Sequence, residues 1–210
     1  MLRILTADDH AVVRAGVKQI LSESNDMRGI AEAETGAEAV RQAALGHFDV
    51  ILLDISLPDQ SGLEVLKILR QQNPDQAVLM LSMHPEEQYA IRALKAGARG
   101  YLTKESASAE LVSAVRKVSG GGRYISISMA EKLAFHLDRN QPQMPHQLLS
   151  DREYQVMLMI ASGKTVSQIA DELGLSVKTI STNRGRALQK MAMRHNAEFT
   201  YYAVKEGLVS

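Results

Sequence analysis

Short apolar runs alternate with helix-forming segments five times in the first 120 residues, and this alternation restricts the fold more than any other feature. The apolar runs are LRILTA, GIAEA, FDVILLDI, AVLMLSM and GYLTK. Apolar residues at helical spacing fill the intervals near residues 11–23, 36–45, 61–72, 85–96 and 107–118. Repeated strand–helix units predict a doubly wound, five-stranded parallel sheet of the α/β class.

Polar side chains follow several of the predicted strands at the point where each strand ends. Asp8 and Asp9 follow the first strand, Asp54 the third, Ser82 the fourth and Lys104 the fifth. Ligands of such sheets bind beyond the carboxyl ends of the strands. Three carboxylates meeting there would repel one another unless a cation held them, and a set of oxygen ligands suits Mg²⁺. Taken singly, each residue could instead cap a helix, begin a turn or be a solvated strand end.

Four motifs in order resemble the receiver domain of bacterial two-component response regulators over residues 1–120. They are the DD pair after the first run, LLDISLPDQSG, the serine after VLML, and AGARGYLTK. The resemblance implies that Asp54 accepts a phosphoryl group from a sensor histidine kinase. It also implies that Mg²⁺ is held by Asp9, Asp54 and the backbone carbonyl of Ser56, with Asp8 assisting.

The same resemblance assigns a switch to the last two strands. It implies that Ser82 and Lys104 contact the phosphoryl oxygens, and that Tyr101 is similar to the aromatic switch residue of the family. Ordinary packing of an amphipathic ring is the alternative for Tyr101. Met83 and His84 are interpreted as either gatekeeping or packing residues.

Composition limits the remaining possibilities. The chain has no cysteine, which excludes disulfide frameworks, thiolate zinc sites and cysteine nucleophiles. The first apolar run is too short for a signal peptide and no stretch is long enough to span a bilayer, so we expect a cytoplasmic protein without membrane contact. Residues 1–120 hold 13 basic and 16 acidic side chains, whereas residues 121–210 hold 11 and 8, which indicates different tasks for the two halves.

A linker is predicted between the halves. The glycines at 120–122 end the last helix of the first domain. Residues 121–147 form the predicted linker, with a helical segment near 128–137 followed by the polar, proline-containing DRNQPQMPHQ.

The segment 148–210 has the pattern of an all-α domain of four short helices. Capping-box spacing places two helix starts near 151 and 166, from the pairs Ser150 with Glu153 and Thr165 with Gln168. The second helix ends at Gly174, and Ser176 then caps a third helix. A helix, a tight glycine turn and another helix predict a helix-turn-helix domain.

The third helix has one apolar face and an opposite polar face that would enter the major groove of double-stranded DNA. Residues 173–197, which include this helix, contain basic side chains and no acidic one, which favours binding to DNA. A solvated helical face is the alternative interpretation. Predicted phosphate contacts are Lys178, Thr179, Arg186 and Lys190, and predicted base-edge contacts are Ser181, Thr182 and Gly185. The segment beginning LSDREYQVMLMIASGKTVSQIADELGLS closely resembles the LuxR-type (NarL/FixJ-like) DNA-binding domain, and Asn183 stands where that family often has histidine.

Together these features predict a transcriptional regulator that phosphorylation activates and that binds DNA as a homodimer when phosphorylated. We expect no enzymatic turnover. A Mg²⁺-dependent phosphohydrolase is the first rival, although Ser56 stands where such hydrolases usually offer a second aspartate. A protein-interaction adaptor, whose basic domain binds a partner protein, is the second.

Overall fold

The structure is a computed structural model that describes residues 1–126, 130–131 and 144–209. The chain divides into two compact units, Met1–Ala134 and Phe135–Ser210. The division falls inside the segment 121–147 that the sequence predicts as a linker. The predicted helix near 128–137 lies largely outside the described residues.

The first unit is built on a five-stranded parallel sheet with the strand order β2-β1-β3-β4-β5. The strands are β1 Leu2–Ala7, β2 Met27–Ala33, β3 Val50–Leu53, β4 Val78–Ser82 and β5 Gly100–Thr103. Every residue of β3 and β4 is buried, in agreement with their nearly continuous apolar sequence. The predicted α/β sheet is therefore confirmed, although β3 is shorter than the apolar run that contains it.

A helix follows each strand. The helices are α1 Ala11–Ser22, α2 Gly36–Leu45, α3 Gly62–Gln72, α4 Glu86–Lys95 and α5 Ala107–Ser119. Apolar side chains of α1 and α5 pack on one face of the sheet in a buried cluster that includes Ile4, Leu79 and Leu111. The predicted helices match within one residue at each end.

The start of α3 lies directly against the end of β3. Ser61 caps the helix in a reciprocal capping box with Glu64. Gly62 donates its backbone N–H to the Ile55 carbonyl at 2.8 Å, and a Cβ at this position would lie 1.9 Å from the Asp54 carbonyl oxygen. Glycine is therefore required here because the two backbones touch.

The first residues of the predicted linker belong to the first unit. Tyr124 forms a parallel bridge with Gly100, donating its N–H to Arg99 and accepting from the Tyr101 N–H. Its hydroxyl donates to Glu110 at 2.6 Å. The described start of the predicted linker is thus attached to the edge of β5 through Tyr124.

The second unit is helical, as predicted. A 3₁₀ turn, Pro145–Leu148, precedes α6 Asp151–Ala161, α7 Val166–Glu172, α8 Val177–Lys190 and α9 Asn196–Lys205. Both predicted capping boxes are present at the starts of α6 and α7, and Ser176 caps α8. Gly174, with φ of 62°, makes the turn between α7 and α8.

A buried carboxylate joins α6 to the end of α8. Glu153 is 3% exposed, and its carboxylate accepts from Lys190 Nζ at 2.6 Å and from the Ser150 N–H at 2.8 Å. Burial acts to raise the pKa of Glu153, but these hydrogen bonds outweigh burial and hold the pKa below the ordinary 4.5.

In the described parts of the chain, no helix is both long enough and apolar enough to cross a membrane.

We expect Glu153→Gln to destabilise the second unit by about 1–2 kcal/mol at neutral pH, because a neutral amide loses the charged hydrogen bonds. A carboxyl group with a lowered pKa stabilises the fold above its unfolded pKa and loses this effect as the pH falls through its folded pKa. The difference between the variant and the wild type should therefore shrink as the pH falls below 4.5.

Calorimetric unfolding of the full chain from pH 7 to pH 3.5 measures this difference. Glu172→Gln is the matched control, because Glu172 forms an exposed pair with Lys164 in the same unit and should cost less than about 1 kcal/mol. Equal losses of unfolding free energy in the two variants would contradict a stabilising role for the hydrogen bonds of Glu153.

Candidate functional site

The predicted acidic residues meet at the carboxyl edge of the sheet. Ala7 and Leu53 are register partners of the neighbouring strands β1 and β3, so Asp8 and Asp54 follow them side by side. The Asp54 N–H extends the ladder to the Ala7 carbonyl at 2.9 Å. Asp8 and Asp54 are buried, whereas the Asp9 side chain is 34% exposed.

Lys104 reaches both buried carboxylates. It follows β5, and its backbone N–H donates to the Ser82 carbonyl at the end of β4. Its Nζ lies 2.7 Å from Asp8 Oδ2 and 2.8 Å from Asp54 Oδ2, and its side chain is 7% exposed. One ammonium group therefore bridges the ends of β1 and β3 from the far side of β4.

The charges of this cluster do not balance. Burial raises the pKa of Asp54 above its ordinary 3.8, Lys104 opposes the rise and the Asp8 carboxylate adds to it. Burial alone would lower the pKa of Lys104, but Asp54 and Asp8 outweigh burial and hold it above 10.5. Two buried carboxylates share the Lys104 ammonium and Asp9 lies beside them, so the site carries excess negative charge that a further cation would neutralise.

Ligand atoms for such a cation are present. Asp8, Asp9, His10 and Asp54 each offer one donor atom, and these atoms all lie within 4.8 Å of one another. Three carboxylates fit Mg²⁺, which prefers oxygen ligands and retains several waters. His10, whose Nδ1 lies 2.7 Å from Asp9 Oδ1, was missed by the sequence reasoning, although it directly follows the DD pair.

Ser56 contacts this cluster through its backbone. Its N–H donates to the Asp54 carboxylate, and its Oγ lies 3.3 Å from His84 Nε2. The role of its carbonyl as a metal ligand stays a prediction.

The residues predicted as a switch are joined through His84. The Ser82 hydroxyl accepts from the His84 N–H at 3.0 Å, and the Tyr101 hydroxyl donates to the His84 carbonyl at 2.8 Å. Ser82 and Tyr101 are fully buried. The His84 ring lies 4.9 Å from the ring of Tyr89, whereas the Met83 side chain is 67% exposed. His84 thus packs and hydrogen-bonds, while Met83 extends into solvent.

A second candidate site is the polar face of α8. Ile180 and Ala187 are buried on the opposite face, and Arg184 donates to Asn196 Oδ1 at 2.6 Å, so the predicted division of faces is correct. Most of the predicted DNA contacts are exposed, namely Lys178, Thr179, Ser181, Thr182, Gly185, Arg186 and Lys190, whereas Asn183 is half-buried.

Four of these side chains already have intramolecular partners. The Thr179 hydroxyl lies 2.8 Å from the Ser176 hydroxyl. The Thr182 hydroxyl and the Asn183 amide each donate to a carbonyl four residues earlier, at 2.9 Å. Lys190 forms the ion pair with Glu153, so a phosphate contact would have to share its ammonium. Lys178 and Arg186 are further exposed cations of α8.

Both units match known protein families. The response regulator receiver domain matches residues 4–116, and the family of bacterial regulatory proteins called luxR matches residues 147–203. The chain is 36% identical to the response regulator UvrY of Escherichia coli K12, over 99% of this chain and 96% of UvrY. It is also 36% identical to the response regulator GacA of Pseudomonas aeruginosa PAO1, over 100% of this chain and 98% of GacA.

Solved structures agree with these matches. RcsB of Salmonella enterica serovar Typhimurium, bound to the promoter rprA in the presence of the phosphomimetic BeF₃⁻, has a TM-score of 0.65 at 22% identity. That match covers 96% of this chain and 97% of RcsB, and at this identity it shows the fold alone. A LuxR-family response regulator of Aurantimonas is 33% identical, with a TM-score of 0.57 over 65% of this chain and 98% of its own. This chain therefore belongs to the two-component response regulators that join a receiver domain to a LuxR-type DNA-binding domain and regulate transcription.

Proposed function

We propose that Asp54 is the residue that receives the phosphoryl group and that a sensor histidine kinase is its donor. The observation that carries this assignment is the pairing of buried Asp54 with Lys104 beside two further carboxylates. Asp8, Asp9 and Asp54 are the proposed Mg²⁺ ligands, together with the backbone carbonyl of Ser56.

The proposed transfer is an in-line displacement at phosphorus. An Asp54 oxygen forms the new P–O bond while the P–N bond to the kinase histidine breaks, and the electron pair returns to the imidazole nitrogen. Bound Mg²⁺ supplies positive charge against the phosphoryl oxygens. Lys104 exchanges its contact with the Asp54 carboxylate for one with the incoming oxygens, so its ammonium serves both states without leaving the site.

We propose that phosphorylation of Asp54 then changes the structure of residues 82–84, which we call the His84 segment. A Ser82 hydroxyl that turns to a phosphoryl oxygen gives up the N–H of His84. The same residue holds the Tyr101 hydroxyl, so the loss of one hydrogen bond changes the position of the acceptor for the other. Two exchangeable arrangements of this segment would give the two-state element that a switch requires.

The second unit is proposed to bind double-stranded DNA through α8. Exposed Lys178 and Arg186 flank a face of small side chains, which suits a helix lying in the major groove. The promoter-bound RcsB structure supports this role by analogy of fold. A phosphorylated homodimer would place two such helices on one DNA, so that the affinities of the two domains reinforce each other.

The proposed domain organisation is a receiver domain in residues 1–120, a connecting segment in 121–147 and a DNA-binding domain in 148–210. The connection begins with the Tyr124 bridge on β5, next to the proposed switch residue Tyr101. We propose a cytoplasmic location, because the partners are a kinase domain and DNA. The chain accepts a phosphoryl group in this scheme and does not turn over a small substrate.

With a small phosphodonor and Mg²⁺, we expect the wild type to gain one phosphoryl group and Asp54→Asn to gain none, because the amide oxygen is a poor nucleophile. Intact-mass analysis of both proteins checks the result. Asp59→Asn is a control in the same loop, since Asp59 caps α2 through the backbone N–H groups of residues 36 and 37. Undiminished labelling of Asp54→Asn would disprove the assignment.

Ser82→Ala should still accept a phosphoryl group at Asp54, yet gain less DNA affinity on phosphorylation. The variant lacks one hydrogen-bonding contact with the phosphoryl oxygens. The coupling free energy between phosphorylation and DNA binding should therefore fall by a share of the roughly 1–3 kcal/mol typical of allosteric linkage. Ser82→Thr keeps a hydroxyl and is the matched control. Fluorescence anisotropy of labelled DNA with and without the phosphodonor measures this coupling. If Ser82→Ala gains as much DNA affinity as the wild type does, the proposed switch is wrong.

Gly185→Ala should raise the stability of the second unit by about 1 kcal/mol, because glycine is unfavourable within a helix. A Cβ at this position would meet nothing within 4 Å, so the protein itself does not require glycine there. If DNA approaches this point, the variant should bind its operator more weakly with an unchanged salt dependence.

Arg186→Ala is the contrasting variant, and it should lower the salt slope of binding by about 1 because a phosphate contact is lost. Operators selected from a random pool, calorimetry and salt titrations provide the measurements. Wild-type operator affinity in Gly185→Ala would remove the support for this face as the DNA interface.

A further inference from the structure

Arg14 is a buried cation close to the acidic site but outside the cluster that holds the carboxylates. It lies in the first turns of α1 and is 6% exposed. Its guanidinium is bound in three directions. Nε donates to Glu32 Oε2 at 3.2 Å, Nη2 donates to Glu34, and Nη1 donates to the backbone carbonyl of Asp8 at 2.8 Å.

The third of these bonds reaches the peptide that joins Asp8 to Asp9. A planar guanidinium has a fixed fork of donors, so two glutamates that hold two of its nitrogens also fix the direction of the third. The orientation of the Asp8 carbonyl sets the plane of the peptide that connects the two acids. That plane contains both Cα atoms, so fixing it limits the directions of the two Cα–Cβ bonds.

The arrangement is not explained by stability alone. Burying an arginine carries a large solvation cost, which ion pairs with glutamates only roughly offset, so a buried pair is weak evidence for a stabilising role. Lys18 pairs with the same Glu32 at 3.0 Å but remains 56% exposed and has no bond to the Asp8 carbonyl among the described contacts. The charges of Arg14, Lys18, Glu32 and Glu34 cancel, so the group adds little net field at the acidic site.

We propose that Arg14 is a positioning residue that orients the Asp8 and Asp9 carboxylates for the divalent cation, and that Glu32 and Glu34 orient Arg14. The inference rests on the proposed function, because it concerns the same Mg²⁺ site. Residues that hold metal ligands in place typically contribute 10–100-fold in metal affinity. The effect of Arg14 is geometric, since removal of a nearby positive charge would by itself strengthen cation binding.

Arg14→Lys tests the proposal because it keeps the charge and loses the fork. In the full-length protein, the variant should bind Mg²⁺ about tenfold more weakly by titration calorimetry. Half-maximal labelling by a small phosphodonor should require a correspondingly higher Mg²⁺ concentration, while the rate at saturating Mg²⁺ stays that of the wild type.

Lys18→Ala is the matched control, since it removes a charge from the same Glu32 without touching the Asp8 carbonyl. Its Mg²⁺ affinity should stay within about twofold of the wild type or increase slightly. If Arg14→Lys fails to fold, as judged by circular dichroism, Glu34→Asp takes its place, because it keeps the charge, shortens the side chain that holds one arm of the guanidinium and should also weaken Mg²⁺ binding.

An unchanged Mg²⁺ affinity in the Arg14 or Glu34 variant would overturn the proposal, and so would an equal loss in Lys18→Ala, which would show that the loss does not depend on the hydrogen bond to the Asp8 carbonyl. Failure of the proposed function is distinguishable, because the wild type itself would then show no Mg²⁺-dependent labelling of Asp54. That result would overturn both conclusions together.

Discussion

One ammonium group between two buried carboxylates is the interaction on which the first unit depends. Lys104 lies within 2.8 Å of both Asp8 and Asp54, and these contacts join the ends of three strands. The ion pair with Lys104 offsets part of the desolvation cost of the buried Asp54 carboxylate, but the site keeps surplus negative charge. A site of this kind favours a divalent cation, which would offset the negative charge of the phosphoryl group in the proposed transfer.

The sequence predicted those parts of the fold and site that follow from periodicity and strand ends. Parallel strands place their carboxyl ends at one edge, so the meeting of Asp8, Asp54 and Lys104 could be expected from the order of the strands and the residues that end them. The apolar and polar faces of α8 likewise followed from 3.6-residue spacing, with Ile180 and Ala187 buried as expected.

Other features depend on contacts that leave no periodic signal. Arg14 acts on a backbone carbonyl, and the Tyr124 bridge is made by main-chain atoms that every residue possesses. The partner of Lys190 lies 37 residues away on another helix, so its ion pair with Glu153 could not be read from local spacing. His10, by contrast, is adjacent to the acidic pair, and attention to the residues around that motif could have found it.

The contact of Gly62 with the Asp54 carbonyl makes the two sides of the site mechanically unequal. On the α3 side, two backbones touch and a single added carbon would collide at 1.9 Å, so that side leaves no room for an inward shift. On the other side, the His84 segment is held by hydrogen bonds that can be exchanged one at a time. In the proposed switch, strain introduced at Asp54 would therefore be released across β4 toward β5, the edge that Tyr124 joins.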